Sequence, residues 1–93
     1  MIQSTRGKLA AQAVAGRYGK GFPSDLVKRT KAMLSALQAA AVLEDLRVPP
    51  GNNLEELSGD RAGQHSVRLN NQWRICFVWT EAGPADVEIV DYH

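Results

Sequence analysis

Three titratable side chains, Asp91, Tyr92 and His93, close the alternating run "EIVDYH", and two arginines, Arg68 and Arg74, flank the short segment "LNNQW". An imidazole with an ordinary pKa of about 6.5 can give or take a proton near neutrality. A phenol can donate a hydrogen bond or a proton, and a carboxylate can orient the imidazole or act as a base. Paired guanidinium groups suit phosphate, because their donor forks are planar and their charge is permanent. Together these groups meet the needs of RNA cleavage without a metal. The reaction requires a base for the 2′-hydroxyl, positive charge around the five-coordinate phosphate and an acid for the leaving 5′-oxygen. Such chemistry at a chain end requires the end to be pinned in a sheet, since termini fray.

The elements that must do the pinning are legible in the periodicity. Ile2 to Thr5 is expected to open as a short strand, and the Ala-rich stretch Lys8 to Tyr18 as a helix weakened at its end by Gly16 and Gly19. After the loop "GKGFPS", Ser24 is placed as the N-cap of a second helix. Its apolar stripe is Leu26, Val27, Thr30, Met33, Leu34 and Leu37, with Lys28, Arg29 and Lys31 on the other side. "RVPPGNN" stops helical structure. From Leu54 the period changes to two. Strands are expected over Leu54 to Ser58, Gln64 to Leu69, Trp73 to Trp79 and Val87 to Tyr92, joined by "GDRAG", "NNQ" and "TEAGPAD". Two N-terminal helices packed on one face of a small antiparallel sheet make an α+β domain.

Register follows from which faces are apolar. Trp73, Ile75, Phe77 and Trp79 share one face, and His65, Val67 and Leu69 share another. A one-residue slip would turn either set away from the core, so the two sets must coincide. A three-residue turn, Asn70 to Gln72, achieves this and sets Arg68 across from Arg74. Like charges in that position repel unless an anion lies between them. The same rule applied to the last hairpin, with Trp79 opposite Val87 and Phe77 opposite Ile89, places Tyr92 across from Arg74. The expectation is therefore a row of Arg68, Arg74 and Tyr92 on the helix-free face, with His93 at the rim.

Each residue also has a plainer role available. The arginines could pair with Glu88, Asp60 or Glu55 as surface ion pairs. Tyr92 could be a packing residue, and His93 a solvated terminal side chain. His65 reads as a satisfied structural residue, Trp73 and Trp79 as core anchors, and Cys76 as a small buried hydrophobe.

The chain has 93 residues and a net charge of +1, room for one core in a single domain spanning 1–93. Met1 to Arg47 carries eight Lys/Arg against three Asp/Glu, and Val48 to His93 three against seven, so a basic surface can form on a near-neutral molecule. One cysteine permits no internal disulfide, and one Cys with two His residues has no zinc-ligand spacing. No window approaches a membrane span of about 18 apolar residues, and "MIQSTRGK" lacks a signal-like apolar core. The expectation is a reduced cytoplasmic protein that needs no membrane, metal or cofactor.

The run "VPPGNNLEELSGDRAGQHSVRLNNQWRICFVW", followed by "DVEIVDYH", resembles the HigB-type toxins of the RelE/ParE superfamily; the likeness extends upstream through "DLVKRTKAMLSAL" and "LEDLRVPPG". The resemblance implies a bacterial type II toxin that enters the ribosomal A site and cuts mRNA without a metal. It also implies neutralisation by a HigA-type helix-turn-helix antitoxin, through which the toxin meets operator DNA only indirectly. The family's cleavage residues match Arg68, Arg74, Asp91, Tyr92 and His93 here, with Arg61 of the Gly-Asp-Arg turn a candidate RNA contact. Some relatives have a His or Lys ahead of that turn, where this chain has Glu55, Glu56, Leu57 and Ser58. Acid–base work then falls on Asp91, Tyr92 and His93. The alternatives are a non-enzymatic ParE-like gyrase inhibitor, or a degenerate toxin that only binds its antitoxin on operator DNA. The "DYH" ending favours the nuclease.

Overall fold

The structure is a computed structural model that describes residues 1–91. Its first helix, α1, runs Lys8–Val14, and the second, α2, Val27–Ala39. Four strands follow: β1 Glu55–Glu56, β2 His65–Arg68, β3 Trp73–Thr80 and β4 Gly83–Asp91. They form one antiparallel sheet in sequence order. The α+β expectation is met, with both helices on one face.

Helix α1 is a turn shorter than its pattern suggests. Gly16 adopts φ 78°, and the Gly16 and Arg17 amides bond back to the Ala13 and Gln12 carbonyls. This left-handed cap closes the helix and leaves Tyr18 in the loop, edge-on against Phe22. Ser24 makes no side-chain cap; Ser24–Leu26 is a 3-10 turn feeding α2.

The core lies between the helices and one sheet face. α1 buries Ala10 and Ala13, and α2 buries Thr30, Met33, Leu34 and Leu37. They meet Val67, Leu69, Ile75, Phe77, Val87 and Ile89, with Trp73 and Trp79 partly buried at the margin. The apolar stripes of α2 and β3 are thus the ones the periodicity indicates. His65 stacks on Phe77 across the β2–β3 ladder with ring centroids 6.2 Å apart. Its Nδ1 is buried and has no hydrogen-bond partner among the described residues, so at that atom the satisfied structural role expected is not met.

The last hairpin departs most from expectation. "TEAGPAD" is largely strand: Thr80 pairs with Gly83 around a two-residue turn, and Thr80 Oγ1 donates to the Gly83 carbonyl at 2.6 Å. A turn that tight would carry Ile75 opposite Glu88 and put the wrong face inward. A bulge at Asp86 and Val87, with Asp86 at φ 51°, inserts one residue and restores the apolar match of Ile75 with Ile89. The register differs from the expected one by two residues. Arg74 therefore pairs with Val90 and not with Tyr92.

The N-terminal segment forms a single parallel bridge, Thr5 with Val87, along the free edge of β4. Its extended backbone is tied by Gln3 N to Pro84 O and Val87 N to Ser4 O. A Cβ on Gly83 would lie 2.2 Å from the Met1 carbonyl oxygen, so this close approach requires glycine.

Between α2 and β1 the chain is held by one side chain. Asn52 is only 2% exposed and donates from Nδ2 to the Leu46 and Val48 carbonyls at 3.1 and 3.3 Å. Its Oδ1 accepts from Arg29 Nη2 on α2 at 3.3 Å, and the same nitrogen donates to the Arg68 carbonyl at 3.0 Å. Loop, helix and β2 converge here. Asn52→Ala is expected to destabilise the domain by about 1–3 kcal/mol, the cost of stranding buried polar groups. Urea unfolding should show it as a lower midpoint at unchanged slope. Asn52→Asp should be as costly, since a carboxylate cannot donate to the two carbonyls, and a midpoint unmoved by both substitutions would remove Asn52 from this role.

Candidate functional site on the helix-free sheet face

The face of the sheet away from the helices carries Arg68 and Arg74 directly opposite each other. The three-residue turn that sets this pairing is closed by Asn70, whose Oδ1 accepts from the Gln72 and Trp73 amides at 2.8 Å each. Although their Cα positions face each other, the two guanidinium groups diverge. Arg68 reaches toward the turn, donating from Nε to the Asn70 carbonyl at 3.2 Å and from Nη2 to Asn71 Oδ1. Arg74 leans the other way, donating from Nε to Ser66 Oγ at 2.8 Å and from Nη2 to the Asn53 carbonyl at 2.7 Å. Divergence onto these acceptors separates the like charges.

Arg74 is the more enclosed, its side chain 12% exposed, with Glu55 Oε2 at 3.8 Å. Arg61, carried by the 3-10 turn Gly59–Arg61, folds over the same face. It contacts Gln64 Oε1 at 3.1 Å and Glu88 Oε1 at 3.0 Å, with Arg61 and Glu88 each about 30% exposed. Of the two arginines for which the plainer ion-pair role is available, Arg74 has the Glu55 carboxylate nearby. Beneath them Cys76 is fully buried. Burial pushes its thiol pKa up and nearby Glu88 adds to this, against the opposing pull of Arg61 and Arg74. Its full burial agrees with the small buried hydrophobe expected.

Asp91 pairs with Trp73, so strand alternation turns it to the face opposite Arg74. Its Oδ2 accepts from Gln72 Nε2 at 3.0 Å. Tyr92 and His93, and with them the outer end of the expected row, lie outside the described residues. The fold thus brings Arg61, Arg68 and Arg74 to one face and places Asp91 at the end of β4, turned to the other face. Ser66 and Asn53, which hold Arg74, were not singled out by the sequence; the alternation that puts Ser66 on the face of Arg68 was the available signal.

Among the described residues, no group of His, Cys, Asp and Glu could hold a metal ion. No described helix is long and apolar enough to cross a membrane. A groove of about 540 Å³ lies instead in the helical layer, lined by Ile2, Val14, Tyr18, Lys31 and Leu34 among others.

Two helices on one face of a four-stranded antiparallel sheet, with arginines gathered on the other face, define a RelE-like fold. Two solved structures share it. A YoeB–YefM complex from Staphylococcus aureus superimposes with TM-score 0.60 at 17% identity, covering 100% of this chain and 98% of that one. A YoeB dimer from the same organism gives TM-score 0.57 at 17% identity, covering 99% and 94%. Identity that low speaks to fold alone. The family model for HigB-like toxins, described as the RelE-like toxin of type II toxin–antitoxin system HigB, matches residues 15–93. The chain belongs to this family. It is 41% identical over 60 residues to Toxin HigB-1 of Vibrio cholerae, an alignment covering 64% of this chain and 63% of that protein. It is also 36% identical over 56 residues to an uncharacterized protein of Haemophilus influenzae, covering 60% and 55%. The chain thus spans less than two thirds of the length of these relatives.

Proposed function

We propose that this chain is the toxin of a type II toxin–antitoxin pair and acts as a ribosome-dependent, metal-independent mRNA endonuclease, neutralised by a HigA-type antitoxin. The observation that carries the reading is Arg74. It is a nearly enclosed cation held by two neutral acceptors on the helix-free face, in the strand next to the one that leads into Asp91, Tyr92 and His93. A positive charge fixed in advance stabilises the developing phosphorane charge without reorganising during the reaction. Arg68 adds positive charge to the same face from the turn side, and Arg61 contributes to the RNA-facing rim. His93, with Tyr92, supplies the proton transfers, and Asp91 orients or assists them. The ribosome brings the mRNA, and the antitoxin covers the toxin and links it to operator DNA.

The ion pair of Arg61 with Glu88 and the nearness of Glu55 to Arg74 favour a second reading. In it the arginines are structural and the chain only binds its antitoxin, or inhibits gyrase as ParE-like proteins do. Brief expression without antitoxin, followed by mapping of mRNA 5′ ends, separates the two. The nuclease should produce new in-frame ends within codons and arrest translation, and His93→Ala should abolish both. Intact mRNA accompanied by gyrase-dependent DNA damage would overturn the proposal.

A further inference from the structure

We propose that Ser66 is a positioning residue for the cleavage reaction, acting through Arg74; this rests on the nuclease reading above. Ser66 has no exposed surface, on the strand face that points away from the helical core. It lies diagonally across the β2–β3 ladder from Arg74, since its direct partner is Cys76. Its Oγ accepts the Arg74 Nε–H at 2.8 Å. A second acceptor arrives from another element. Asn53 takes the left-handed backbone conformation, φ 47° and ψ 56°, unusual for a residue other than glycine. In that conformation its carbonyl accepts from Arg74 Nη2 at 2.7 Å.

Nε and Nη2 form the side-on fork of a guanidinium, the fork that commonly grips a carboxylate or phosphate. Here it is committed to two uncharged protein oxygens. The consequence is orientation: these two bonds set the plane of the guanidinium, neither of them cancels its charge, and an anion does not meet it through that fork. Glu55, at 3.8 Å and largely exposed, could not set the plane in this way. Of these two acceptors Asn53 contributes a backbone oxygen, and Ser66 contributes through a replaceable side chain. Serine is also small enough for a site with no exposed surface, and its hydroxyl rotates to present a lone pair.

The test has two independent readouts. In the free protein, the Arg74 Nε–H resonance should exchange slowly with solvent, and Ser66→Ala should make it exchange fast. On ribosomes, Ser66→Ala should lower kcat on the order of 10- to 100-fold with the ribosome concentration dependence unchanged, as expected when a catalytic group is misplaced. Ser66→Cys, of nearly equal size but a weaker acceptor, should fall between. In an Arg74→Ala background, Ser66→Ala should change cleavage by less than about twofold, because the two act as one unit. A general loss of packing would instead lower activity equally in both backgrounds, and that outcome overturns the proposal. So does an Nε–H that exchanges fast in the unsubstituted protein, or cleavage undiminished in Ser66→Ala. Unsubstituted protein that never cuts mRNA, with the Nε–H still protected, would instead bring down the nuclease reading and this inference with it.

Discussion

Arg74→Ala is expected to lower ribosome-stimulated cleavage by about 10²- to 10³-fold, the usual effect of deleting one prepositioned charge-stabilising donor group. The effect should appear in kcat, because the charge acts where negative charge develops and not where substrate is first bound. The side chain is 12% exposed and bonded to Ser66 and Asn53, so its loss will also cost stability, on the order of 1–3 kcal/mol. A melting curve must therefore accompany the assay. Arg74→Lys separates the two effects: lysine keeps the charge but cannot reproduce the planar Nε and Nη2 fork. Its activity should lie well below that of the unsubstituted protein. Cleavage unchanged in both variants, with the fold intact, would leave Arg74 a structural residue and the enclosed cation without a catalytic role.

Phe77→Ala should have the largest effect on stability, about 3–5 kcal/mol, as for other fully buried aromatic residues truncated to alanine. Phe77 is 0% exposed in the middle of β3, with His65 opposite on one side and the β4 bulge on the other. The site has little means of collapsing, because Phe77 lies in the middle strand pair of the sheet, with its ladder partner His65 fixed on β2. A domain of this size has a total stability of about 5–15 kcal/mol. The substitution should consume about a fifth of it or more. A urea midpoint lowered by the equivalent of less than 1 kcal/mol would show that the core is not organised around this ring.

Some of this protein was determined by the sequence alone, wherever a local pattern admits one physical solution. The stripe of Leu26, Thr30, Met33, Leu34 and Leu37 can face only one way on a helix. The turn of Asn70 to Gln72 can join two strands of matching apolar faces in only one register, so the pairing of Arg68 with Arg74 was readable before any coordinates. Parity across the last hairpin was readable for the same reason. The register within that parity was not, because two rules compete there. The short turn at Glu81 and Ala82 favours an odd pairing and the apolar alternation an even one, and the conflict is settled by a bulge at Asp86, where backbone strain is exchanged for burial of Val87 and Ile89. That choice makes Val90 the partner of Arg74.

Side-chain partners likewise belong to the tertiary structure. No spacing rule predicts that Asn52 gathers a loop, α2 and, through Arg29, the Arg68 carbonyl. Nor does any predict that Ser66 and a left-handed Asn53 hold Arg74 while Arg68 turns toward Asn71. Those contacts join residues distant in sequence, and they depend on the distances between elements after packing, which periodicity does not encode.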